Sequence, residues 1–305
     1  MPDTWTYYNG QWMPRSQVRI ELGDRGFYLG DAVFDLFRTF GGKPYRVREH
    51  MDRFFRSLKY VRIDPGLSPE EMTALGLECV RRNEPLRAEM GDWSIWYAAT
   101  RGLGDWRMLD AKPTVIVQCA QTPFGSFARF YETGAHAVIV KTRNNTPETL
   151  EPKLKHTSRM HLVMADVEAR DVDRDAWPVL LDREGNIAEG SGSNVFIVTD
   201  GVLRTPTDAG ILQGVTRTAV LEMARQLGIR FVEEDIQPYD LYTADEAFFS
   251  TTPAFALPIT KADNRMVGEG KPGKVTRQLL AAFSESVGVD VVGQALKYRT
   301  SRSSV

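Results

Sequence analysis

An α/β fold of two domains is predicted, and three observations predict it. The chain has 305 residues, 42% hydrophobic and 26% charged, enough to bury most of its unfolded surface in more than one core. Short apolar runs with strand character alternate with runs whose apolar residues fall at helical spacing. One weakly patterned stretch, containing Pro123 and Gly125, interrupts that alternation. The expected organisation is a small N-terminal α/β domain over residues 1–120, an interdomain connection over 121–133 and a larger C-terminal α/β domain over 134–305.

Each element follows from local chemistry. Asn9-Gly10, between the apolar runs 5–8 and 11–13, predicts a hairpin because both residues tolerate positive φ. Gly41-Gly42 predicts a second hairpin, joining a strand over 33–40 to residues 44–47, and residues 24–30 form a glycine-punctuated loop. Met51, Phe54, Phe55, Leu58 and Val61 space out an amphipathic helix over 48–61. Ser68-Pro69-Glu70-Glu71 is a capping box with proline at the first helical position, opening a helix to about residue 82. Strands over 93–100 and 113–120 flank a long loop, and another strand over 136–142 begins the second half. A helix follows Lys155 to about residue 170; strands are expected near 178–182 and 194–199, with Asp200-Gly201 as a turn. The helix over 215–227, stopped by Gly228, is the clearest in the chain.

Composition removes several function classes. The 38 basic and 40 acidic residues nearly cancel, so no broad field favours nucleic acid or an anionic membrane, and a small-molecule substrate is expected. Cys79 and Cys119 stand apart from any C-x-x-C pair, and residues 1–5 carry no basic segment leading into an apolar one; a cytoplasmic protein is expected. His50, His136, His156 and His161 form no recognised metal-ligand spacing, so no metal is expected. Glu233 and Glu234 beside Asp235 read as a solvated edge.

The residues suited to chemistry lie far apart in sequence. Glu189 sits between Ala188 and Gly190, small neighbours that let a carboxylate press against a flat ring and hold a pyridine nitrogen protonated. Gly214, Val215 and Thr216 open a helix whose free amides and dipole suit a phosphate, and Arg53 and Thr252 offer further donors. Lys153 and Lys155 are both candidates for an amine that attacks an aldehyde, and an extended segment would put them on one face, so spacing does not choose between them.

Five ordered motifs carry a resemblance. They are Asp24-Arg-Gly-Phe27 with Gly30-Asp31-Ala-Val-Phe34, Arg48-Glu-His-Met-Asp-Arg53, Thr100-Arg-Gly-Leu-Gly-Asp105, Glu189-Gly-Ser-Gly-Ser-Asn194 and Leu212-Gln-Gly-Val-Thr-Arg217. Over nearly its whole length the chain resembles the fold-type IV pyridoxal-phosphate enzymes, the class IV aminotransferases that include branched-chain and D-amino-acid aminotransferases. The resemblance implies a homodimer using pyridoxal 5'-phosphate to move an amino group from a small-molecule donor to a 2-oxo acid. It selects Lys155 as the Schiff-base lysine and proton carrier, from its distance to Glu168-Ala169. It assigns Glu189 to the ring nitrogen, Arg53, Val215, Thr216 and Thr252 to the phosphate, and Arg159 to the cofactor's surroundings.

Positions that face substrate in this family depart from the branched-chain pattern. Leu29, Trp96 and Arg159 stand where that pattern has tyrosine, arginine and tyrosine, while Arg38 keeps a branched-chain-like position, Arg101 matches an arginine of the D-amino-acid enzymes and Phe34 is expected among the substrate-binding residues. Either Arg38 or Arg101 is expected to hold a substrate carboxylate with paired donors. A branched-chain-like amino donor is expected first. D-amino acids, (R)-amines without a carboxylate, a lyase like aminodeoxychorismate lyase, and an inactive cofactor-binding protein are the alternatives.

Overall fold

The computed structural model describes residues 2–105, 107 and 109–299. Its contacts divide the described residues into two compact units: the first holds those up to Pro123 together with Leu154–Arg159, the second Phe124–Lys153 and residues 160–299.

The first unit is a six-stranded antiparallel sheet with helices on one face. Its elements are β1 (Trp5–Tyr8), β2 (Gln11–Pro14), α1 (Arg25–Tyr28), β3 (Ala32–Phe40), β4 (Lys43–Pro44), α2 (Val47–Val61), α3 (Pro69–Asn83), α4 (Arg87–Met90), β5 (Trp93–Thr100) and β6 (Thr114–Gln121). The order is β2-β1-β6-β5-β3-β4. Both predicted hairpins form, and Asn9 takes φ +46° where a branched side chain would be strained. The capping box also forms: Ser68 Oγ accepts from Glu71 N at 3.1 Å, and the Glu71 carboxylate accepts from Ser68 N at 2.7 Å. Along β3, Val33, Asp35, Phe37 and Thr39 point one way and are buried, with Phe37 and Phe54 of α2 both packed on Tyr97 of β5. Phe34 and Leu36 lie on the opposite, half-buried face.

The chain adds one further piece to this sheet. Residues 154–159 run antiparallel to the start of β3: Phe34 N donates to Lys155 O at 3.0 Å, Thr157 N donates to Ala32 O at 3.0 Å, and Val33 bridges His156.

The second unit carries α5 (Phe124–Phe127), α6 (Phe130–Thr133), β7 (Ala135–Arg143), α7 (Met160–Val172), β8 (Trp177–Leu181), β9 (Ile187–Gly190), β10 (Asn194–Thr199), β11 (Val202–Thr205), α8 (Val215–Gln226), β12 (Phe231–Glu233), α9 (Pro238–Thr243), β13 (Glu246–Thr251), β14 (Phe255–Ala262), β15 (Arg265–Met266), α10 (Lys274–Val287) and α11 (Val291–Lys297). Eight strands follow the order β12-β11-β10-β13-β14-β7-β8-β9, with β15 beside β14. β9 also meets β10 through the Glu189–Asn194 pair, so β10, β13, β14, β7, β8 and β9 close a ring. The stretch 121–133, expected as a connection, begins with the last residue of β6 and continues from Phe124 as two short helices whose Phe124, Phe127, Phe130 and Tyr131 are buried in this unit. Phe130 packs edge-on against Trp177, and the Tyr131 hydroxyl donates to Ala254 O.

Packing of the first sheet sets a test. A Cβ at Gly76 of α3 would lie 1.6 Å from the hydroxyl oxygen of Tyr97, a fully buried ring that aromatic neighbours hold in place. Alanine is ordinarily favoured over glycine in a helix by about 1 kcal/mol. Here Gly76→Ala is expected to destabilise instead, by about 1–3 kcal/mol, read as a lower urea midpoint at unchanged slope. Adding Tyr97→Phe, which removes the clashing oxygen, should recover part of the loss.

Candidate active site

In the first unit the pairing of residues 154–159 with β3 decides where Lys155 points. Leu154 is buried and Lys155, the next residue on an extended segment, turns to the open face of the sheet, half-buried. Its ammonium stands 4.7 Å from the centre of the Phe34 ring. Arg159 reaches the same ring, its guanidinium carbon 5.4 Å from the centre. Trp96 of β5 lies beside it, ring centres 6.1 Å apart. The Lys155 N–H donates to Ser57 Oγ at 3.3 Å, which ties the segment to α2. Lys153, the other candidate amine, is exposed and outside this unit.

Behind the sheet, Asp35 organises a buried charge cluster. It is 0% exposed and Arg53 4%. Arg53 Nε donates to Asp35 Oδ2 and Arg53 Nη2 to Asp35 Oδ1, both at 2.8 Å, while His50 Nδ1 donates to Oδ1 at 2.8 Å. Burial by itself would push the Asp35 carboxyl up; the Arg53 charge and the two sets of hydrogen bonds outweigh it and hold it well below the usual carboxylate range. His50 goes the other way for a histidine: burial lowers it more than the Asp35 hydrogen bond raises it, with Arg53 and Lys155 adding to the lowering. Paired donors on a fully buried acid fix the plane of the Arg53 guanidinium.

The two arginines expected to meet a substrate carboxylate are engaged elsewhere. Arg101 gives Nε and Nη2 to Asp31, at 2.7 and 3.1 Å, and further donors to the carbonyls of Arg62 and Val61 at the end of α2. Asp31 also pairs with Arg25 at 2.8 Å, so Arg101 locks the 24–31 loop. Arg38 donates from Nε to Thr39 O, lies 3.7 Å from Asp92 and stacks on Phe40. Each guanidinium serves the fold. Leu29, in the same loop as Asp31, is 46% exposed.

In the second unit Glu189 lies where β9 and β10 close the ring. It is buried, and its carboxylate accepts from Asn144 Nδ2 at 3.1 Å, from Asn194 Nδ2 at 3.4 Å and from Leu212 N at 3.3 Å from each oxygen. Such a shell complements an ionised acid and leaves it rigid. Asn194 also donates to Leu212 O at 3.0 Å, which carries the chain into α8. Gly214 passes so close to Asn194 that a Cβ there would lie 2.1 Å from Asn194 Oδ1; only glycine fits. No side chain caps α8 at Gly214, and the first-turn residues Val215 and Thr216 are buried. Ser250 pairs with Asn194 across the strands; its buried hydroxyl and that of Ser193 have no hydrogen-bond partner among the described residues, and Thr252 follows, half-buried. The structure thus assembles Glu189, Val215, Thr216 and the 250–252 hydroxyls in one unit and Lys155, Phe34, Trp96, Arg53 and Arg159 in the other.

Sequence reasoning missed Asp35, Asn144 and the role of Asn194. Asp35 had a signal, a charged residue at the buried parity of an apolar strand. Asn144 had none, since its partner is 45 residues away.

Known proteins resemble this chain in sequence and in fold. The family model for amino-transferase class IV matches residues 32–262. A putative branched-chain-amino-acid aminotransferase of Methanocaldococcus jannaschii is 34% identical, covering 92% of this chain and 95% of that one. A D-alanine aminotransferase of Staphylococcus aureus is 32% identical, covering 92% and 97%. Among solved structures, the T.th. branched-chain amino acid aminotransferase with pyridoxamine 5'-phosphate is similar at a TM-score of 0.85 and 26% identity, covering 98% of this chain and 97% of that one.

The Asp35 cluster predicts an acid-limb signature. Because the folded carboxyl sits below its unfolded value of about 4, its contribution is complete above that pH and is withdrawn as pH falls through the lower folded value. Asp35→Asn leaves Arg53 buried without its carboxylate and is expected to cost about 3–5 kcal/mol at neutral pH. Urea unfolding at several pH values should show that cost together with a flatter decline below about pH 4 than in the wild type.

Proposed function

The chain belongs to the class IV aminotransferase family, and on that footing we propose that it moves an amino group between an amino acid and a 2-oxo acid with pyridoxal 5'-phosphate held by Lys155. The observation that carries this reading is Lys155 itself, a half-buried lysine aimed from a pinned extended segment across an aromatic face. Desolvation and a fixed geometry are what a nucleophilic amine requires.

The residues present fit the cofactor. Glu189, ringed by amide donors, suits a protonated pyridine nitrogen. In the second unit the uncapped start of α8, with the Val215 and Thr216 amides, suits a phosphate; Thr252 and Arg53 are proposed as further donors to it on the family resemblance. Pyridoxal phosphate supplies an electron sink for negative charge at substrate Cα. Lys155 would hold the cofactor through its ε-amino group, and the same amine would serve as the base that holds or moves the proton at substrate Cα. Donor and acceptor occupy the same place in turn.

Phe34, Leu36 and Trp96 make the open face of the sheet near Lys155 apolar, which favours aliphatic donors of the branched-chain type. D-amino acids are the second reading, supported by the likeness to D-alanine aminotransferases. A homodimer is supported by the exposed apolar side chains of Ile20, Leu22, Phe27, Tyr28 and Leu29. A cytoplasmic setting is supported by free, buried Cys79 and Cys119; among the described residues no single helix is long and apolar enough to cross a membrane.

Purified protein loaded with cofactor should lose its visible absorbance on mixing with a productive donor. A panel of L-leucine, D-alanine and (R)-1-phenylethylamine separates the donor classes. Lys155→Ala is expected to lower kcat by at least about 10²–10⁴-fold with the fold intact by circular dichroism. Wild-type turnover in that variant would refute the role given to Lys155.

A further inference from the structure

We propose that Ser57 is a positioning residue for Lys155: its hydroxyl oxygen takes the amide N–H of that lysine and so fixes the direction in which the amine leaves the chain. The inference rests on the aminotransferase reading and deepens it, because it names a side chain that need touch neither cofactor nor substrate and on which the reactivity of the amine depends.

Three observations carry the assignment. First, the peptide groups on the two sides of Lys155 are held by different elements of the first unit. Its carbonyl oxygen accepts from Phe34 N of β3 at 3.0 Å, and its N–H donates to Ser57 Oγ of α2 at 3.3 Å. A regular antiparallel pair exchanges both bonds between the same two residues; here the N–H is given to a helix side chain. With both peptide planes held, φ and ψ of Lys155 are held, and with them the direction of its Cα–Cβ bond. Second, Ser57 is itself kept in place. It is 3% exposed and lies between two points where α2 is fastened: one turn before it Arg53 gives two donors to Asp35 of β3, and one turn after it the Val61 carbonyl accepts from Arg101. Third, the hydroxyl suits its surroundings only if it is used. Met51, Phe54 and Leu58 make the buried face of α2 apolar, and a hydroxyl taken from water into such a face costs free energy that a hydrogen bond must offset.

The consequence lies at the amine. Phe34 supplies both the N–H that holds the Lys155 carbonyl and the ring that the ammonium faces at 4.7 Å, so the backbone pair and the cation–aromatic contact move together. Without the Ser57 oxygen, the peptide between Leu154 and Lys155 is released to turn about its flanking bonds, which swings the side chain while the Phe34 bond stays. A four-carbon arm magnifies a small rotation at Cα into a displacement of about 1 Å at Nζ, the scale on which a misplaced reacting group loses up to about 100-fold in rate. Folding depends on this bond much less, because alanine is favoured over serine within a helix and the segment keeps its two bonds to β3.

The test is Ser57→Ala. In the cofactor-loaded variant, kcat with the most productive donor and 2-oxoglutarate should fall by roughly 10-fold, with KM within about 2-fold of wild type. Starting from cofactor-free protein, the visible band should develop roughly 10-fold more slowly on mixing with pyridoxal 5'-phosphate. Affinity for pyridoxine 5'-phosphate, which has no aldehyde for the amine to meet, should be unchanged. Hydrogen exchange should show the Lys155 amide losing protection while the thermal midpoint stays near that of wild type. Wild-type kcat and wild-type band development in Ser57→Ala would overturn the proposal. So would a parallel loss of pyridoxine 5'-phosphate affinity, which would make Ser57 a support of the pocket at large rather than of the amine. A wild-type protein that takes up no pyridoxal 5'-phosphate would sink the aminotransferase reading and the catalytic role of Ser57 with it, and that failure is read from the wild type alone.

Discussion

The pairing of residues 154–159 with the first residues of β3 is the constraint from which the lysine's chemistry follows. Two backbone hydrogen bonds, Phe34 N to Lys155 O and Thr157 N to Ala32 O, hold the segment extended. Extension alternates Leu154 inward and Lys155 outward, and a shift of one residue would bury the amine and expose the leucine. The same register brings Arg159 back to the ring that Lys155 faces. A short stretch of strand thereby fixes a nucleophile, its aromatic floor and a cation.

Two buried acids stabilise the two units by the same physical device. Asp35 projects from the buried face of β3 with Arg53 and His50 of α2 donating to it, and Glu189 sits at the closure of the second sheet with two asparagines and a backbone amide donating to it. Buried carboxylates cost solvation, and only a complete set of donors offsets that cost. The result is orientation. Asp35 sets the plane of Arg53, and the Glu189 shell ties β9, β10 and the approach to α8 into one rigid corner, with Gly214 admitted only because it lacks a side chain.

Charged residues that look alike in sequence separate in the fold by what they touch. Arg38, Arg53, Arg101 and Arg159 all qualify as anion binders from residue type. Arg101 holds a loop through Asp31, Arg38 serves the turn around Asp92, Arg53 is clamped by Asp35, and Arg159 rests on Phe34. The stretch 121–133 shows a related point for apolar residues. Its aromatic residues keep helical spacing for only about two turns, too short to hold a helix alone, yet four of them bury because the second unit offers them a surface.

What the amino-acid sequence determined by itself was local. The Asn9-Gly10 and Gly41-Gly42 turns, the Ser68–Glu71 capping box, the strand at Trp93–Thr100 and the helix Val215–Gln226 are each legible from residues a few positions apart, through φ preference, capping and apolar spacing, although the Gly41 and Gly42 amides also find Asp92 and Asn9 finds Val115. Motif order added the class of enzyme and the residues to inspect. Tertiary structure alone decided which charge meets which. Arg53 reaches Asp35 across 18 residues, Glu189 meets Asn144 across 45, and Arg101 finds Asp31 across 70. Such pairings are selected by burial and by the geometry of sheet closure, and neither is written in any single stretch of chain.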